Sequence, residues 1–99
     1  MLNMKKNIEN EKAFFALEGR LDTNTSPDLE KELRETLPGM STLELDFEEL
    51  DYISSAGLRV LLSAQKIMSQ QGEMKVTHVN ETIMEIFEVT GFTDILTIE

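Results

Sequence analysis

The sequence predicts an α/β protein, a mixed sheet of about four to five strands with about three to four helices packed on it. Three observations predict it. From Leu43 the chain reads Leu-Glu-Leu-Asp-Phe, so Leu43, Leu45 and Phe47 share one side of a strand and Glu44 and Asp46 the other. From Leu58 to Met68 the apolar spacing becomes helical. The same succession of strand and helix recurs before and after this stretch, an order that places parallel strands in one sheet with helices on one or both faces.

Met4 to Ile8 is a weak strand candidate, followed by a turn at Glu9-Asn10-Glu11-Lys12. Ala13 to Gly19 is stronger: Phe15 and Leu17 point one way, Phe14 and Ala16 the other, so burial on both faces is expected. The two form a hairpin. Gly19 to Thr25 reads as a loop of small polar residues, and Ser26-Pro27 as a helix opening, serine capping and proline first in the helix. Leu29, Leu33 and Leu37 recur every four residues among charged neighbours, the pattern of a one-sided amphipathic helix that Pro38-Gly39 ends.

Next come the strand Thr42 to Phe47, an acidic loop Glu48 to Tyr52, and the turn Ser54-Ser55. Hydroxyls at that position can accept from the amides that a helix's first turn leaves unpaired. The same donors, at the positive end of the helix dipole, suit a phosphate. In the helix that follows, Arg59, Ser63, Lys66 and Gln70 make a narrow polar stripe, while Leu58, Val60, Leu61, Leu62, Ala64, Ile67 and Met68 fill more than half the circumference. So broad an arc means burial against a sheet and a neighbouring helix, or a partly exposed face that docks a partner.

Gln71-Gly72-Glu73 closes the helix, and Met74 to Val79 is a short strand. Asn80 caps a third helix with Ile83, Ile86 and Phe87 as its core stripe and Thr90-Gly91 as a left-handed stop. Phe92 to Ile98 is a last short strand or hooked tail.

A chain of 99 residues suits one domain, here residues 1–99, with a single modest core. No cysteine and one histidine exclude a disulfide framework, thiolate chemistry and most zinc sites. With 19 acidic against 9 basic residues the net charge is −10, which argues against nucleic acid or an anionic membrane as partner and for a partner with a basic face. No apolar run reaches the roughly 18 residues of a membrane span, and no signal-peptide core follows Met1, so the cytoplasm is the expected location. No cofactor is expected.

Three segments carry a resemblance: Gly19-Arg20-Leu21-Asp22; Leu45-Asp46-Phe47-Glu48-Glu49-Leu50; and Ile53-Ser54-Ser55-Ala56-Gly57-Leu58 opening the central helix. On these the chain resembles, over nearly its whole length, the STAS domain family and within it the free-standing bacterial anti-sigma factor antagonists. The resemblance implies a STAS-type fold and a partner-switching function. In that scheme the unmodified protein is expected to bind an anti-sigma factor that is also a serine kinase and to release the sigma factor; phosphorylation would switch binding off, and a phosphatase would reset it. The acceptor lies two places before the glycine of the turn, which is Ser55 here. The family often has an acidic residue before the acceptor and a hydroxyl residue after it; this chain has Ser54 and Ala56, which makes Ser54 a rival acceptor. Asp22 matches an aspartate close to the acceptor in the family, so the partner-binding patch is expected to comprise Asp22, Ser54, Ser55, Ala56, Gly57, Leu58 and Arg59. Nucleotide and magnesium belong to the kinase in this scheme, so the chain is expected to be a substrate and not an enzyme.

Other readings stand beside this one. Ser54 and Ser55 can be caps alone, as in a non-switching STAS adaptor subunit of a signalling or lipid-transport assembly. Asp22, Asp46 and Asp51 lack metal-loop spacing and read as solvated carboxylates, so no metal site is expected. His78 reads as a packed or rim residue of a strand, and Ser-Ser-Ala-Gly is not a hydrolase nucleophile turn. The six methionines suit core filling or an adaptable surface. Arg59 has Asp22, Asp51 or a partner as possible counterparts.

Overall fold

The alternation of Leu43, Leu45 and Phe47 with Glu44 and Asp46 is that of a sheet buried on one face only. The computed structural model, which describes residues 2–99, has that architecture. Its elements in order are β1 (Leu2–Glu9), β2 (Lys12–Leu21), α1 (Ser26–Thr36), β3 (Thr42–Ile53), α2 (Ser55–Ser69), β4 (Glu73–Thr77), α3 (Glu81–Thr90), a 3-10 turn (Phe92–Asp94) and β5 (Thr97–Ile98). The strands lie in the order β1-β2-β3-β4-β5. β1 and β2 are an antiparallel hairpin that turns at Asn10, whose φ is +57°; the other pairs are parallel.

Parallel neighbours need right-handed crossovers, and steps taken always in the same direction put every crossover helix on the same side. On that side Ala13, Phe15, Leu17, Leu43, Leu45, Phe47, Met74 and Val76 meet Leu29, Leu33, Leu61, Ala64, Met68, Ile83 and Phe87, all buried. Phe47 and Phe87 lie 6.4 Å apart, centroid to centroid, which ties α3 to the centre of β3. On the far face Glu44 draws in Lys12 at 3.7 Å and Lys75 at 3.8 Å, Lys75 reaches Glu99 at 3.7 Å, and Asp46 meets His78 at 3.0 Å. Ion pairs that keep one partner in water contribute little stability; what they show is that this face is polar. Phe14 and Ala16 are therefore half-buried, against the expectation of a strand buried on both sides.

The largest departure is β3. The acidic stretch Glu48 to Tyr52, expected as a loop, continues the strand. Strict alternation would turn Leu50 outward after Phe47. Instead the pairing with β2 skips a residue between Asp46 and Glu49 and again between Leu50 and Tyr52, so Phe47, Leu50 and Ile53 all face the core. Two bulges thus extend the strand by two turns of pattern that reading by twos does not show. Asp46 Oδ1 accepts from the Glu48 amide at 2.9 Å, within the first bulge.

The helix ends differ in how they are held. Asn80 caps α3 as expected: its Oδ1 accepts from Ile83 N at 2.8 Å, while its Nδ2 donates to Leu50 O at 2.9 Å. Gly91 ends α3 at φ +80°. Ser26, expected as the cap of α1, is instead its first residue and is buried; Thr25 occupies the cap position and makes no side-chain cap bond. β4 stops at Thr77, so His78 lies just past the strand, exposed and at φ +57°, and Val79 lies outside it. After Gly91 the tail hooks through the 3-10 turn and contributes only Thr97 and Ile98 to the sheet.

α2 settles its broad apolar arc in favour of burial. Gly57, Leu58, Val60, Leu61, Ala64 and Met68 are buried, and Ile67 stands partly clear at 42% exposure. No helix among the described residues is long and apolar enough to cross a membrane.

Candidate functional site

β2 and β3 end side by side, Leu21 opposite Ile53, and the chain leaves both strands at the same end of the sheet. There the amide of Ser54 donates to Leu21 O at 2.9 Å, so the Ser54-Ser55 turn is fastened to the segment that begins with Asp22. Gly57, one turn into α2, sits directly over this junction. A Cβ there would stand 2.7 Å from Ile53 Cγ1 and 2.9 Å from Leu21 Cγ. The position therefore needs glycine for contact.

The Asp22 segment is braced by its own hydrogen bonds. Asp22 Oδ1 accepts from the amides of Asn24 at 3.0 Å and Thr25 at 3.1 Å. The Thr25 hydroxyl accepts from Asp22 N at 2.9 Å and directs its proton to Arg20 O at 2.8 Å and Asp22 Oδ1 at 3.2 Å. The Thr25 amide is the strongest influence on the Asp22 carboxyl. Burial opposes it, but with the Asn24 amide, the Thr25 hydroxyl and Arg20 it holds the carboxyl below the usual aspartate value. Arg20 lies 3.8 Å from Asp22 Oδ2, and its guanidinium covers the Tyr52 ring at 4.5 Å.

The two serines have different surroundings. Ser54 has extended backbone, φ −100° and ψ 178°, and its Oγ is buried with no hydrogen-bond partner. Ser55, the first residue of α2, is exposed. Neither hydroxyl caps the helix, against expectation; the first helical bond is Leu58 N to Ser54 O at 2.9 Å. The first turn of α2 also contains no acidic residue. Its positive end is thus met by no side-chain anion of its own.

Of the expected patch, Asp22, Ser54, Ser55, Ala56 and Arg59 come together at this end of the molecule. Gly57 and Leu58 lie in it by sequence but face the core. Arg59 is exposed and pairs with neither Asp22 nor Asp51; Asp22 takes Arg20, and Asp46, in the middle of β3, is turned to the far face with His78. A cleft of about 220 Å³ separates the start of α1 from α2, with Thr23, Ser26, Glu30, Ala56 and Arg59 among its walls. A larger hollow, about 710 Å³, is at the opposite end around Asn10 and Ser41, wide open to solvent and far from the serine turn. Sequence reasoning missed the Arg20–Tyr52 pair and the cleft residues Thr23, Ser26 and Glu30. The pair depends on the second bulge, which sets Arg20 opposite Tyr52.

A helix entered from the end of a central parallel strand, with the preceding hairpin strand beside it, is also the arrangement that the comparisons with known proteins return. The family described as "Mlab, STAS domain" matches residues 4–97. The chain belongs to the STAS family. Among curated STAS relatives, the putative anti-sigma factor antagonist BtrV of Bordetella bronchiseptica is 40% identical over 81 residues, 80% of this chain and 70% of BtrV. The anti-sigma-B factor antagonist of Listeria monocytogenes is 31% identical over 84 residues, covering 82% and 73% of the two chains. The fold is that of a solved anti-sigma factor antagonist from Mycobacterium paratuberculosis, with a TM-score of 0.89 at 15% identity over 99% of this chain and 85% of that one. The five-stranded mixed sheet with three helices is a STAS fold.

Proposed function

We propose that this STAS protein is an anti-sigma factor antagonist that binds its partner through the end of the molecule formed by Asp22 and Ser54 to Arg59, and that phosphorylation of Ser55 switches the binding off. The observation that carries the reading is the contrast between the serines: Ser55 presents its side chain to solvent, while the Ser54 hydroxyl is buried. A kinase reaches the first and not the second. The names of BtrV and the Listeria relative, matched over some four-fifths of this chain, support the antagonist role and an anti-sigma factor as partner. A partner that is itself the serine kinase, with a separate phosphatase, completes the cycle.

In the transfer, the Ser55 Oγ–P bond forms as the bond between the γ-phosphorus of ATP and the β–γ bridging oxygen breaks; ADP leaves, and the hydroxyl proton passes to the kinase. Phosphoserine carries about −1.5 to −2 charges at neutral pH. At a helix N-terminus the dipole favours it by about 0.3–1 kcal/mol, so the fold tolerates the modification. Buried in an interface where the partner supplies no cation, the same group meets a penalty of several kcal/mol. At about 1.4 kcal/mol per tenfold in affinity, that abolishes a micromolar complex.

The test is site-resolved mass spectrometry after incubation with Mg-ATP and an extract of the native cells, with Ser55→Ala and Ser54→Ala alongside. Phosphate on Ser55, absent from Ser55→Ala and retained in Ser54→Ala, is the expected result. Phosphate on Ser54, or none while an added STAS substrate is modified, overturns the reading.

A further inference from the structure

Ser55 and Arg59 are four residues apart on α2, and both are exposed. Side chains at that spacing are neighbours, about 5–6 Å apart at Cβ, and a helical side chain leans toward the N-terminus, which carries the Arg59 guanidinium back over the first turn. An acid N-terminal to a base at this spacing is the favourable orientation of such a pair.

Arg59 is also uncommitted. It makes none of the ion pairs found among the described residues. The charged groups around it are otherwise engaged or offset: Glu30, across the cleft on α1, pairs with Arg34 at 3.5 Å; Asp22 pairs with Arg20; Asp51 lies at the end of β3. Arg59 and Lys66 are the only charged residues of α2, and they stand seven positions apart. An exposed, unpaired arginine one turn beyond an exposed serine, on a helix end without an acid, forms one half of a charge pair.

We infer that Arg59 is the intramolecular counter-ion of the phosphate on Ser55. The inference rests on Ser55 as the acceptor. Phosphorylation then does two things to the surface: it adds negative charge, and it withdraws the guanidinium that the unmodified protein offers to a partner. The phosphate is held by guanidinium and helix end together, and the domain registers the modification without unfolding.

The test uses the 99-residue chain with phosphoserine placed at position 55 during translation, so that it needs no kinase. A ³¹P NMR titration at low ionic strength reads the second pKa of the phosphate. In Arg59→Gln it is expected about 0.2–0.4 pH unit higher than in the wild type, the equivalent of one i,i+4 ion pair. Arg59→Lys recovers part of the difference, and about 0.5 M salt reduces it. Lys66→Gln, which removes the same charge 11 residues along the helix, leaves the value unchanged. Equal pKa values in wild type and Arg59→Gln, or an equal change in Lys66→Gln, overturn the inference. Neither result depends on whether cells phosphorylate Ser55, so failure of the switch and failure of the pair are separately visible.

Discussion

Gly57 lies against Ile53 with room for no side chain: a Cβ would come within 2.7 Å of Ile53 Cγ1 and 2.9 Å of Leu21 Cγ. Both neighbours are buried to 1% exposure or less, and the clashing atoms are near the backbone, so neither can swing away. Helix propensity alone would make Gly57→Ala stabilising by about 1 kcal/mol, but overpacking costs about 1–3 kcal/mol. Urea unfolding is expected to show a net loss of up to about 2 kcal/mol. A more stable variant would mean that α2 can lift from β2 and β3 at little cost.

Ser54→Ala is expected to keep or raise stability, within about 0.5 kcal/mol of the wild type. Loss of a working serine cap ordinarily costs about 0.5–2 kcal/mol. Here the hydroxyl makes no cap bond and is buried without a partner, so its removal relieves a desolvated group. A loss above 1 kcal/mol in denaturant unfolding would mean that the hydroxyl caps α2 in solution.

Asn80 has two duties, accepting from Ile83 N and donating to Leu50 O. Asn80→Ala is therefore expected to cost about 1–3 kcal/mol, more than a cap alone, because Leu50 O at the bulge loses its donor as well. Asn80→Asp keeps the acceptor and loses the donor. Unfolding of both variants separates the two contributions, and equal stability of Asp and wild type would remove the bulge tie from the account.

Asp22 gives a pH signature. Its carboxyl is held below the ordinary aspartate value in the folded protein, first by the Thr25 amide. A lowered folded pKa means that the unfolded chain binds more protons in the intervening window, so the stabilisation is complete above the unfolded value of about 3.9 and is lost as pH falls through the folded one. The stability gap between wild type and Asp22→Asn should be constant from neutrality to about pH 5 and shrink below about pH 4. A gap that is flat down to pH 2.5 would show that the ionised carboxylate contributes nothing.

Much of the site was legible because it is local. The Ser54-Ser55 turn, Arg59 one turn later and the capping Asn80 are separated by a few residues from what they act on, and helix geometry fixes such relations. The bulged half of β3 was not legible: Leu50 faces the core only because the ladder to β2 skips once before it, Ile53 returns to the core because it skips again, and that pairing joins residues some thirty positions apart. The same register puts Arg20 over Tyr52.

The sequence by itself determined the succession of strands and helices, the apolar faces, the capped start of α3 and the position of the serine turn at the opening of the central helix. Periodicity and backbone preference act within a few residues, and they suffice for that. Only the tertiary structure decided which serine is reachable. Ser54 and Ser55 are chemically identical neighbours, and the difference arises from packing: the Ser54 amide is drawn to Leu21 O, Gly57 lets α2 settle onto Leu21 and Ile53, and the descent buries one hydroxyl while leaving the next residue in water.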